Sequence, residues 1–343
     1  MRPPAFWDAP GHPLGRFLAP LGHFYGSRVA ARMDRAGERA ACPVICIGNF
    51  TLGGAGKTPT ALAVAALLRG TGAEPAFLTR GYGGRLAGPV TVDPSRHTSL
   101  DVGDEPLLLA RGARTILSRD RPEGARLCRA LGADVVVMDD GLQNPSLTKD
   151  LSLAVVDAGS GIGNGLAFPA GPLRAPLARQ WRHVHGLVVI GEGAQGEALA
   201  VEAASRGLPF HRARLVPTAP TVVAGKPVLA FAGIGRPRKF FETLAQAGAS
   251  VIETRTFPDH HPYRAADLAG LAAWADALGA MLVTTEKDMV RLPADFAARV
   301  TALGVTLLFD DEGSVLAQLR RAGEAFSPAT VPARPDASSP PRA

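Results

Sequence analysis

The sequence predicts an α/β fold in two parts: a parallel sheet with helices on both faces, then a smaller second α/β domain. Two observations lead there. Short apolar runs alternate with helix-forming runs along most of the 343 residues, as expected of repeated βα units. The alternation pauses around the prolines at 217 and 220 and then resumes, and the chain is too long for one ordinary core. Composition agrees, since 39 glycines and an aromatic content of only 6% suit helices lying close on a sheet.

Residues 1–40 hold six arginines against three acidic residues, half of the chain's net charge of +6. Leu14, Phe17, Leu18, Leu21, Phe24, Tyr25 and Val29 recur there at helical spacing, interleaved with Arg16, His23, Arg28, Arg32 and Arg35. Such a basic amphipathic helix either packs on its own domain or rests in a membrane interface. Pro20 predicts a break or kink in it. From residue 41 to 209 the alternation reads as the first domain. Its strands are Pro43–Ile47, Pro75–Thr79, Arg114–Leu117, Asp134–Met138, Leu151–Val156 and Leu187–Ile190, and its helices are Thr58–Arg69, Glu105–Arg111 and Pro122–Leu131. Residues 210–224 read as two extended segments forming a linker. Residues 225–325 read as the second domain, with strands Val228–Ala232, Ser250–Thr254, Met281–Thr285 and Val305–Phe309 and helices Arg238–Ala247, Ala265–Leu278 and Ser314–Ala322. Residues 326–343, rich in Pro and Ser, predict a disordered tail.

Several classes are disfavoured. No apolar run reaches the roughly 18 residues of a membrane span, and no signal-peptide pattern opens the chain. Cys42, Cys46 and Cys128 lack metal-ligand spacing and read as reduced core thiols. The positive charge favours an anionic partner without naming one.

Chemistry concentrates first between the Pro43–Ile47 strand and the Thr58–Arg69 helix. Thr51-Leu52-Gly53-Gly54-Ala55-Gly56-Lys57-Thr58 places three glycines in four positions ahead of a helix N-terminus. Its amides and dipole suit a phosphate, so the loop reads as a P-loop that binds a nucleotide. Lys57 is expected at the β/γ-phosphates and the Thr58 hydroxyl on Mg²⁺. Thr51 stands where the strict pattern has glycine. Asp139 and Asp140 follow four apolar residues at a strand end, and paired carboxylates there favour a metal role, with either as the ligand.

Further motifs extend the pattern: Gly48-Asn49, Thr79-Arg80-Gly81-Tyr82-Gly83, Gly103-Asp104-Glu105-Pro106, Asp139-Asp140-Gly141-Leu142-Gln143, Pro169-Ala170-Gly171-Pro172-Leu173-Arg174, Phe257-Pro258-Asp259-His260-His261-Pro262-Tyr263 and Thr285-Glu286-Lys287-Asp288. With the loop, and in this order, they resemble the tetraacyldisaccharide 4′-kinases of lipid A biosynthesis from about Phe6 to Glu312. Thr51 belongs to that family's loop. The resemblance implies a P-loop NTPase-like domain and transfer of the ATP γ-phosphate, with Mg²⁺, to the 4′-hydroxyl of a tetraacyl glucosamine disaccharide 1-phosphate. It implies Asp104 as the base, His260 as its partner, with the adjacent His261 not separated from it by sequence, and Arg80, Tyr82 and Arg174 as acceptor or phosphate contacts. Ala175 departs from the acidic residue common in the family. On this reading the partners are an acylated disaccharide lipid and an anionic membrane surface rather than nucleic acid. The place of work is the cytoplasmic face of the bacterial inner membrane, with the basic helix as anchor. The residues alone leave open a P-loop ATPase or GTPase acting as a metal-delivery or assembly switch, and a nucleotide-regulated membrane-binding module. Glu286, Lys287 and Asp288 read by default as a salt-bridged turn.

Overall fold

The computed structural model describes residues 4–324, so the tail expected at 326–343 lies outside the described residues. The strands are β1 Val44–Gly48, β2 Pro75–Thr79, β3 Val90–Thr91, β4 Thr115–Leu117, β5 Val135–Asp139, β6 Leu151–Asp157, β7 Gly186–Ile190, β8 Phe210–Pro217, β9 Pro227–Ala232, β10 Ser250–Thr256, β11 Met281–Thr285, β12 Val300–Leu303 and β13 Val305–Phe309. Nine form a sheet in the order β13-β8-β7-β6-β1-β5-β2-β4-β3, parallel except for its two edge pairs, β13 with β8 and β3 with β4. The other four form a parallel sheet, β10-β9-β11-β12.

β1 shows why the large sheet needs cover on both faces. Val44 and Cys46 enter one apolar cluster, with Met138, Trp181 and Leu199. Ile45 and Ile47 enter the other, with Val64 and Leu68 of the helix Lys57–Gly70. A strand apolar at every position is the signature of a central parallel strand. The second sheet repeats the arrangement, Leu229 and Phe231 facing one cluster and Val228 and Ala230 the other.

Most elements fall where the sequence predicts them, and four differences stand out. The helix Ala194–Ser205 was not expected; it covers one face of the large sheet through Leu199, Ala200 and Ala203. Residues 210–217 are no linker, because β8 pairs in parallel with β7. β13 leaves the second domain and pairs antiparallel with β8. The helix after it, Glu312–Glu324, follows, placing Val315 and Leu319 in the cluster of Val64. Side-chain bridges also join the domains: Arg236 and Lys239 to Asp157, Arg111 to Glu286, and Lys287 to Glu105.

The N-terminal helix, Pro13–Met33, continues through Pro20, so of the expected break or kink the break does not occur. Its buried face is made of small residues, Gly15, Gly22, Gly26 and Ala30, with Met33. At Gly22 any side chain would begin 2.5 Å from the carbonyl oxygen of Ala167, so the helix lies tight on the loop that leads to Arg174. The large apolar residues instead face outward, with Phe17 at 78%, Phe24 at 60% and Leu21 at 57% exposure. The helix thus packs on its own domain and still presents an apolar ridge. Among the described residues no helix is long and apolar enough to cross a membrane.

Candidate active site

β1 ends at Gly48, and the chain turns through Asn49–Gly56 into the helix Lys57–Gly70. Gly56 caps that helix in the left-handed region, at φ +91°, with Ile190 Cδ1 2.5 Å from where a Cβ would stand. The positive φ is what requires glycine; Ile190 Cδ1, the end of a flexible side chain, could give way. Buried Asn49 braces the turn from below: its amide donates to the Gly53 carbonyl at 3.3 Å and its Oδ1 accepts from Lys57 Nζ at 3.4 Å. The outer edge is held by Leu52 N–H to the Pro172 carbonyl (2.7 Å) and Arg174 Nε to the Thr51 carbonyl (3.0 Å). Space above Gly53 and Gly54 is open. Residues 51–58 therefore form one continuous turn into a helix N-terminus, a geometry that suits an anion. Beside it, a cavity of about 390 Å³ runs between Pro59 and Leu62 on one side and Ile234 and Phe240 of the second domain on the other.

Asp139 ends β5, beside β1 in the sheet, and Asp140 follows in the turn; their environments differ. Asp140, whose backbone adopts φ +52°, takes a two-pronged bond from Arg174 at 2.8 and 3.0 Å and lies 3.7 Å from Lys57 Nζ. Burial works to raise it, but Lys57 and the Arg174 guanidinium outweigh burial and hold it well below the usual carboxylate range. Asp139 is buried, and neither of its oxygens has a hydrogen-bond donor. Burial first, and then the negative charge of Glu105, push it up to about 7. A buried carboxylate without a donor fits a cation better than it fits solvent. Among the described residues no trio of His, Cys, Asp or Glu side chains could hold a metal unaided, so phosphate oxygens and water would have to complete such a shell.

Asp104 opens the helix Asp104–Gly112, capped by Gly103, so it is a first-turn residue rather than the cap. It is buried and points to the second domain. His260 Nδ1 lies 2.8 Å from Asp104 Oδ2, whereas His261 pairs with Asp267 at 3.0 Å. This separates the adjacent histidines, which sequence alone does not. His260 sits at φ +56°, an uncommon conformation for a non-glycine residue. Its hydrogen bond to Asp104 raises its pKa above the ordinary histidine value. The exposed Tyr82 ring stands edge-on to His260, centroids 5.7 Å apart.

The remaining expected residues divide. Arg80 is exposed at the end of β2. Arg174 has its donors on Asp140, Thr51 and Gln143 Oε1 (3.1 Å), so it orients Asp140 and the outer edge of the turn. Residues not singled out by sequence are also present. Glu105 takes Lys287 Nζ at 2.7 Å, and that ammonium holds it below the usual glutamate range. Arg121 is fully buried beside Asp139, with Nε and Nη1 lacking acceptors. Arg291 contacts Asp104 Oδ2 at 3.0 Å. A single arginine after a helix leaves no local pattern; only the buried Gly-Asp-Glu-Pro turn could have drawn attention to Glu105.

A family model described as tetraacyldisaccharide-1-P 4′-kinase matches residues 14–324. The chain belongs to the tetraacyldisaccharide 4′-kinase family. It is 67% identical to the tetraacyldisaccharide 4′-kinase of Methylobacterium radiotolerans over 94% of this chain and 99% of the relative. The same coverage holds at 66% identity for an enzyme of that name from Methylorubrum extorquens. The fold is also that of LpxK from Aquifex aeolicus, whose "apo" form was crystallised in complex with ATP. That structure has a TM-score of 0.71 at 24% identity, covering 90% of this chain and 99% of the other. In this member of the 4′-kinase family, adjacent residues of one helical turn serve two sides of the cleft. Asp104 meets His260 of the second domain, while Glu105 lies within electrostatic reach of Lys57 and Asp139.

Proposed function

We propose that this chain transfers the γ-phosphate of ATP to the 4′-hydroxyl of a tetraacyl glucosamine disaccharide 1-phosphate. The observation that carries the reading is that helical turn: a buried carboxylate paired with an imidazole, one residue from the carboxylate next to the phosphate cradle. A sugar hydroxyl is a weak nucleophile, so a base must take its proton as the phosphoryl group arrives. Asp104 has that role, with His260 holding its Oδ2. The Thr51–Thr58 amides and Lys57 hold the β/γ-phosphates, and the apolar cavity beside Pro59 and Leu62 takes the nucleoside. Thr58 and Asp139 are the residues that would hold Mg²⁺, which supplies charge neutralisation on the phosphates. Asp140, pinned by Arg174, shapes that site from beside it. Tyr82 and Arg80 border the cleft on the acceptor side.

The acceptor's acyl chains place the work at a membrane surface, and we assign it to the cytoplasmic face of the inner membrane. The outward Phe17, Leu21 and Phe24 ridge supports this, because each such side chain leaving water contributes about 1.5 kcal/mol or more. Replacing all three with serine should weaken sedimentation with phosphatidylglycerol vesicles and raise KM for the lipid, leaving KM for ATP unchanged. Undiminished vesicle binding would remove the anchor role. Since the glycine face does the packing, these exposed substitutions spare the fold where deleting the helix would not.

The direct test offers γ-labelled ATP with and without the tetraacyl disaccharide 1-phosphate. Label in the glycolipid, and ATP consumption that depends on the acceptor, are expected. A switch ATPase would instead hydrolyse ATP without the acceptor, and a binding module would scarcely turn over.

A further inference from the structure

We propose that Arg291 is the positioning residue for the base: it carries Asp104 as a fixed carboxylate and makes that fixation depend on the seating of the second domain. This rests on the kinase reading and extends it to a residue outside the family motifs quoted above.

The geometry is a buried chain of charges. Arg291 Nε lies 3.0 Å from Asp104 Oδ2, and both side chains are only 6% exposed. Its Nη1 lies 3.1 Å from Asp288 Oδ1 and donates to the Gly233 carbonyl at 3.1 Å. Asp288 is fully buried. It accepts from Gly233 N–H at 2.9 Å, from the Tyr263 hydroxyl at 2.7 Å and from the Thr285 hydroxyl at 2.7 Å. Arg291 is thereby anchored at the C-terminal ends of β9 and β11, within the second domain. What it offers the first domain is Nε and Nη2, neither of which has an aligned hydrogen-bond acceptor. Arg291 therefore meets Asp104 as an ion pair off the hydrogen-bond axis, supplying charge and place. His260 and Arg291 both fall on Oδ2, and Oδ1 carries neither cation, which leaves it to take the acceptor's proton.

Two physical consequences follow. Burying a carboxylate charge is costly without a counter-charge beside it. Both counter-charges, His260 and Arg291, come from the second domain, so a base competent to deprotonate an alcohol exists only with that domain in place. The other charged groups around Asp104 are Glu105 on its own helix, Asp259 at 3.8 Å from His260 Nε2, and Lys287 and Asp288 from the segment after β11. Of the cations among them, Lys287 is engaged by Glu105, so it does not replace Arg291.

The test uses the full-length protein with labelled ATP and the tetraacyl disaccharide 1-phosphate in detergent micelles, across pH. R291Q should lower kcat about 100-fold with KM for ATP within about threefold, since Arg291 touches the base and not the cradle. The His260 imidazole, followed by NMR in the same variant, should titrate at higher pH than in the parent, because the Arg291 charge works to lower it. R291K should leave the His260 titration at the parent position yet lower kcat about tenfold, as one ammonium cannot span Asp104 and Asp288. An R291Q protein whose His260 titrates at the parent position overturns the proposal, whatever its kcat. So does R291K at full kcat, which decides the matter even if R291Q fails to fold. A parent protein that transfers no label overturns the kinase reading, and this inference with it.

Discussion

Asp104→Asn should transfer no measurable phosphate to the acceptor while still binding Mg-ATP. The amide keeps the shape of the carboxylate but cannot accept a proton, so the loss should reach about 10²–10⁴-fold in kcat. ATP affinity should stay near the parent value, because the contacts of Asp104 run to His260 and Arg291 across the domain boundary rather than to the cradle. Labelled transfer at saturating substrates, together with an ATP titration, checks both halves. D104N with near-parent turnover would assign the base elsewhere.

Lys57→Ala should lose both transfer and tight nucleotide binding, by about two to three orders of magnitude in kcat/KM. Lys57 is buried at the start of its helix, 3.4 Å from Asn49 Oδ1 and 3.7 Å from Asp140. Its charge also works against the rise of Asp139 and helps to hold Asp140 down. Without it, Glu105, Asp139 and Asp140 would face a triphosphate with less opposing charge. The nucleotide-free protein gives a second readout. Asp139, raised to about 7, contributes stability that is fully present below its unfolded value and lost as pH rises through 7. Asp140, depressed, contributes in the opposite sense, with stability present above its unfolded value and lost as pH falls. Removing Lys57 raises Asp139 further and weakens the hold on Asp140, so thermal melts of K57A should fall more between pH 5 and 8 than those of the parent. Parallel melting curves, or K57A with parent-like ATP affinity, would contradict this account of the ammonium.

The turn between β1 and its helix was legible in the sequence because its pattern is local. Gly53, Gly54 and Gly56 before Lys57-Thr58 state a turn and a helix start within eight residues, and Asp139-Asp140 after four apolar residues state a strand end. The dyad was partly legible. Asp104 and His260 were named through family resemblance, yet their 2.8 Å contact joins residues 156 apart, and only the folded chain separates His260 from His261. Arg291 was not legible, since its meaning comes from two partners brought from other elements.

The N-terminal helix shows the limit of periodicity. Its pattern identified a helix with an apolar stripe, but the stripe faces outward while Gly15, Gly22 and Gly26 pack inward. Hydrophobicity alone ranks the wrong face first, because close backbone approach rewards the absence of a side chain.

By itself the sequence determined the alternation of strands and helices, the glycine-rich turn before a helix and the acidic strand end, all of which depend on neighbours a few residues away. Tertiary structure alone decided that β8 and β13 close the edge of the large sheet. It also decided that the second domain delivers His260 and Arg291 to Asp104. Strand partners and buried ion pairs are chosen by what the whole chain can bury and neutralise together, and a local segment carries no record of that choice.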